Sequence, residues 1–110
     1  MPNPIPVVND LSVCYVTAAF FDQSNNPAVP VSLNYRIDDV TNESNILPWT
    51  ALSPTDTSIT VTVTSAQNAM SDNDDNISET RQVLFKATGT DGQPYYVPFY
   101  YDLRRLVGVP

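Results

Sequence analysis

A chain of 110 residues has room for one domain around one hydrophobic core. Hydrophobic residues make up 42% of it and charged residues 15%, so a disordered chain is excluded as the starting assumption. The net charge of -7, from 5 basic and 12 acidic residues, repels phosphate, which makes nucleic acid and anionic membrane surfaces poor partners.

Pro2, Pro4 and Pro6 alternate with Asn3 and Ile5. Residues 1–9 therefore read as an extended Pro-rich arm, without the basic start and apolar middle of a signal peptide. No apolar stretch approaches the roughly 20 residues of a membrane-spanning helix. The expectation is synthesis in the cytoplasm, with any extracellular destination reached by assembly.

From Leu11 onward the pattern is alternation with a period of two. Leu11–Phe21 places Cys14, Val16, Ala18 and Phe20 on one face, and Val13, Tyr15, Thr17, Ala19 and Phe21 on the other. Asp22–Pro27 is rich in turn formers. Val29–Asp38 alternates Val31, Leu33, Tyr35 and Ile37 against Ser32, Asn34, Arg36 and Asp38, a strand with one dry and one wet face. Asp39–Asn45 turns the chain. Ile46–Leu52 carries Trp49, but Pro48 lacks a backbone donor, so it reads as a short edge strand or an irregular crossing.

Ser58–Thr64 sets Ile59, Val61 and Val63 against threonines. Ser65–Met70 has room for one or two helical turns at most. A polar connector leads to Arg81–Thr88, where Val83, Phe85 and Ala87 share a face. Thr90-Asp91-Gly92 signals a hairpin. Pro94–Leu103 places Val97, Phe99, Tyr101 and Leu103 opposite Tyr96, Pro98, Tyr100 and Asp102. These elements predict an all-β fold: a single antiparallel sandwich of about seven strands over residues 10–104, with a tail at 105–110. The predicted core is Cys14, Val16, Leu33, Tyr35, Ile37, Val61, Val63, Val83 and Phe85.

Catalytic chemistry finds little support. Cys14 is alone and the chain has no His, so there is neither a disulfide nor a base for a nucleophile. Asp38 and Asp39 are adjacent in a strand and point to opposite faces, so they cannot share a substrate atom. Asp72, Asp74 and Asn76 have the spacing of calcium-loop ligands, but Ile77 and Val83 stand where that loop needs Gly and Glu. Asn42-Glu43-Ser44 and Asn76-Ile77-Ser78 fit the glycosylation pattern, which matters only on a secretory route. No catalytic, metal or cofactor residue is assigned.

The tyrosines of the last strand carry the main sign of binding. Either Tyr96 and Tyr100 face outward and anchor a partner, or they cover strand edges. The tail turns from basic, at Arg104 and Arg105, to apolar, at Leu106 and Val107. Apolar side chains at a free end are buried when they pack on a neighbour. An arm containing Pro2, Pro4 and Ile5 loses little entropy on docking. The expected interface is therefore Tyr96, Tyr100, Arg104, Arg105, Leu106, Val107, Pro2, Pro4 and Ile5.

Four segments carry a family resemblance: Leu33-Asn34-Tyr35-Arg36-Ile37-Asp38-Asp39, Trp49-Thr50-Ala51-Leu52-Ser53-Pro54, Ser58-Ile59-Thr60-Val61-Thr62-Val63 and Arg81-Gln82-Val83-Leu84-Phe85-Lys86-Ala87. Their order resembles an immunoglobulin-like or fibronectin type III sandwich. More narrowly, it resembles small Ig-like proteins encoded among the structural genes of tailed bacteriophages. The likeness spans roughly residues 10–105 and lacks the cysteine pair of antibody domains. It implies a non-enzymatic virion component, made in the host cytoplasm and present in many symmetry-related copies. A capsid decoration protein on the major capsid protein lattice fits first, and a head-tail neck component second. The alternative is a recognition module whose loops bind a host glycan or surface protein.

Overall fold

The computed structural model describes residues 6–70 and 78–105. The fold is all-β: seven strands, and no helix among the described residues. They are β1 (Val7–Asn9), β2 (Cys14–Ala19), β3 (Ser32–Asp39), β4 (Ser44–Leu52), β5 (Ser58–Val63), β6 (Ser78–Thr88) and β7 (Pro94–Arg104). A five-stranded sheet runs in the order β1-β7-β6-β3-β4, and β2 pairs with β5 in a second sheet.

Alternation explains how the two sheets meet. Val16, Ala18 and Phe20 from one layer, with Val61 and Val63 beside them, share a buried cluster with Leu33, Ile37, Val83, Phe85, Ala87, Tyr101 and Leu103 from the other. Phe20 meets Phe85 edge to face, with ring centroids 6.2 Å apart. Cys14 and Tyr35, expected in the core, are half-buried and pack against it. Val97 and Phe99 are likewise half-buried on the inner face of β7, because a two-stranded layer cannot cover five strands.

Several expectations change: β2 covers only Cys14–Ala19 of the expected Leu11–Phe21, and β6 begins at Ser78, inside the expected polar connector. Val7–Asn9, read as the end of the arm, is an edge strand, and it runs parallel to β7, so the large sheet is not purely antiparallel. Pro6 explains why β1 is short: its carbonyl accepts from the Asp102 amide at 2.9 Å, but its ring nitrogen has no hydrogen to continue the ladder. β3 begins at Ser32 and not at Val29; Val31 lies outside it, 63% exposed, since Pro30 interrupts the run. β4 is a full nine-residue strand. It absorbs Pro48 in a bulge: Tyr35 pairs with Thr50 and Ile37 with Leu47, leaving Pro48 and Trp49 opposite Arg36 alone.

The end of the sandwich near Arg81 is polar inside. Arg81 and Glu79, both fully buried, continue the inward row of Val83 and Phe85. The Arg81 guanidinium donates to the carbonyls of Gln67 at 2.7 Å and Ala69 at 2.8 Å, and to Glu79 Oε1 at 3.0 Å. Asn42 Nδ2 donates to Glu79 Oε2 and Asp39 Oδ2, each at 2.8 Å. Asn68 accepts from the Tyr101 hydroxyl at 2.6 Å and donates to the Ser12 carbonyl at 2.7 Å. The loop after β5 is thus tied to both layers.

Burial pushes the Tyr101 phenol pKa well above its ordinary value, although Arg81 nearby pulls the other way. A raised folded pKa gives stability that is fully present below the unfolded value, near 10, and is lost as pH rises from there. The wild-type melting temperature should therefore fall above pH 10. Tyr101→Phe should be about 1–3 kcal/mol less stable at neutral pH, because Asn68 Oδ1 loses its donor in a buried place. The gap between the two proteins should narrow as pH climbs beyond 10. A gap that stays constant across that range would contradict this account.

Candidate functional site

The five-stranded sheet turns its outer face to solvent, and the register fixes what lies there. Asn34, Lys86 and Tyr96 form one cross-strand row, Arg36, Leu84 and Pro98 the next, and Asp38, Gln82 and Tyr100 a third. The bulge in β4 brings Trp49 into the middle row, where the Arg36 guanidinium sits 5.5 Å from the centre of its ring. Tyr96 is 54% exposed, Tyr100 43% and Trp49 42%. Large amphipathic rings left open on a strand face are unusual where no partner covers them, and Trp, Tyr and Arg are the residue types that dominate binding energy at interfaces.

The polar groups between the rings are fixed. Arg36 makes a forked pair with Asp38, Nε to Oδ2 at 2.7 Å and Nη2 to Oδ1 at 2.8 Å. Asn45 Nδ2 also donates to Asp38 Oδ1, at 2.9 Å. Partial burial alone would raise the Asp38 pKa; the bonds from Arg36 and Asn45 outweigh it and hold the carboxyl below its usual range. Gln82 Nε2 donates to the Tyr100 hydroxyl at 2.8 Å, and Thr80 Oγ1 donates to Asp102 Oδ1 at 3.0 Å. A face ordered in this way loses little side-chain freedom when a partner docks.

Of the expected interface residues, Tyr96 and Tyr100 share this outward face. Arg104 is exposed at the end of β7, and Arg105 follows it, half-buried. Pro2, Pro4, Ile5, Leu106 and Val107 lie outside the described residues, as does the Asp72–Asn76 spacing. Asp38 points outward and Asp39 is buried, on opposite faces as the strand geometry required. Among the described residues no group of three His, Cys, Asp or Glu side chains is placed to hold a metal.

The expected interface did not include Trp49, Arg36, Leu84, Lys86 or Pro98, although alternation already set Pro98 on the face of Tyr96 and Tyr100. Leu84, Lys86 and Pro98 follow from alternation once β6 and β7 are paired. Trp49 depends on the bulge, which no spacing in the sequence reveals. On the other sheet, Tyr15 stands 69% open on the outer side of β2, beside a Thr17–Thr60 hydroxyl pair at 2.7 Å. No family model, curated protein or solved structure matches this chain.

Proposed function

We propose that this chain is a non-catalytic, protein-binding sandwich of the immunoglobulin-like type. It serves as a structural component of a tailed-phage virion, with the outer face of its larger sheet docked on the major capsid protein lattice. The observation that carries the binding role is the grouping of Trp49, Tyr96 and Tyr100 on one ordered face with Arg36 and Lys86 between them. The strand order supports the immunoglobulin-like type: β7-β6-β3-β4 corresponds to the G-F-C-C′ sheet of variable domains, and β2-β5 to its B and E strands. The virion role rests on the sequence resemblance to phage structural proteins.

The docking face offers aromatic anchors and the Lys86 cation, while Arg36 is already paired with Asp38 on the same face. It therefore suits a partner with apolar pockets and a carboxylate at their rim. Arg104 extends the same strand toward that rim.

The test combines Trp49→Ala, Tyr96→Ala and Tyr100→Ala in one protein. The three side chains are exposed, so the melting curve should stay close to wild type. Binding to capsids of the phage that carries the gene should weaken by about 100-fold or more. Full-occupancy binding by the folded triple variant would reject the docking face. A wild-type protein found only at the head-tail junction would move the proposal to the neck.

A further inference from the structure

At the end of the sandwich opposite Arg81, two loops stand over the core: Phe21–Val31 between β2 and β3, and Gly89–Gln93 between β6 and β7. Between them is an open cleft of about 710 Å³. That lies within the range of roughly 300–1,000 Å³ that small ligands occupy. Its lining mixes apolar Phe21, Pro30 and Tyr95 with polar Asp22, Gln23 and Asp91. Among the described residues no Lys or Arg lines it.

The loops are joined and their polar atoms fixed. Gln23 Nε2 donates to Asp91 Oδ2 at 2.6 Å across the cleft, and Asp91 Oδ1 accepts from the Gln93 amide at 3.0 Å. Asp22 Oδ1 accepts from the amides of Ser24 at 2.9 Å and Asn26 at 3.0 Å, which leaves Oδ2 as an acceptor toward solvent. The hairpin takes this shape because Gly92 occupies a positive φ of 79°. The Tyr95 ring is held edge-on by Phe20 at 6.5 Å, and Phe21 is 45% exposed.

We infer that this cleft binds a neutral saccharide. The C–H face of a sugar ring is apolar and fits against an aromatic side chain. Its hydroxyls donate to carboxylate oxygens in short, charge-assisted bonds. Phe21 and Tyr95 supply the first kind of surface, and Asp22 and Asp91 the second, already oriented. A neutral ligand also avoids the repulsion that an anionic sugar would meet here from the Asp22 and Asp91 carboxylates. This site is independent of the sheet-face docking role.

The experiment follows backbone amide shifts in the ¹⁵N-labelled full chain on titration with maltotriose, cellotriose and the N-acetylglucosamine trimer, with sialyllactose and tetralysine beside them. At millimolar concentration at least one neutral trisaccharide should move the amides of Asp22–Val29 and Gly89–Tyr95. Phe21→Ala and Asp91→Ala should each weaken that binding by about tenfold or more. Trp49→Ala, on the sheet face, should leave it unchanged. The inference fails if no neutral sugar moves these signals, if both cleft variants bind like wild type, or if only tetralysine or sialyllactose shifts them.

Discussion

Arg81→Ala should cost about 3–5 kcal/mol, because it strips the partner from a carboxylate buried with it. Glu79 and Arg81 are both fully buried, so water cannot replace the lost interaction. The guanidinium also serves the carbonyls of Gln67 and Ala69, which would be left in the interior without that donor. A domain of this size has about 5–15 kcal/mol of stability in total, so one substitution would remove a large share of it. Arg81→Lys should recover only part of the loss. A lysine ammonium is a single point of charge and cannot span two carbonyls and a carboxylate as the planar fork does. Urea denaturation of wild type, both Arg81 variants, Glu79→Ala and the double Ala variant measures this. The double variant should be less damaged than the sum of the singles, because Arg81 and Glu79 are removed together and neither is left buried without the other. A loss below about 1 kcal/mol for Arg81→Ala would show that the guanidinium is solvated and the network is not as described.

Alternation made most of the core legible from sequence. Val16, Leu33, Ile37, Val61, Val63, Val83 and Phe85 are buried as expected, because a half-buried strand displays its inner face in every second residue. The same rule, followed two steps further back, passes through Arg81 to Glu79. Read from the sequence, the strand starts at Arg81 and Glu79 falls in the polar connector before it. What keeps those charges inside is the pairing of β6 with β7 down to Ser78 and Arg104, together with the loop that supplies the Gln67 and Ala69 carbonyls. Both are contacts between distant segments. Strand order, the parallel placement of β1 and the bulge that presents Trp49 are of the same kind. They depend on which edges meet, and local spacing carries no information about that. Tyr96 and Tyr100 were legible as an outward pair only as one of two readings, because alternation says which residues share a face and not whether that face is covered.

Phe85→Ala is expected to be the other severe substitution, at about 3–5 kcal/mol. Phe85 is fully buried in β6, near the middle of the larger sheet. Its ring stacks on Tyr35 at 6.1 Å, with an interplanar angle of 24°, and meets Phe20 edge to face. Removing it deletes the apolar transfer energy and two ring contacts, and it leaves a cavity between the layers. Neighbours cannot close that space easily, because Val83 and Ala87 on the same row are held by ladders on both sides. The loss should also reach the loop-end cleft, since Phe20 is the contact that positions the Tyr95 ring. Phe85→Leu separates the effects: it keeps most of the volume and loses the aromatic contacts, so it should cost clearly less than Phe85→Ala. Denaturant midpoints for the two variants provide the measurement. Equal losses would place the energy in the ring contacts alone, and a loss near zero for Phe85→Ala would mean that the two layers do not pack through this residue.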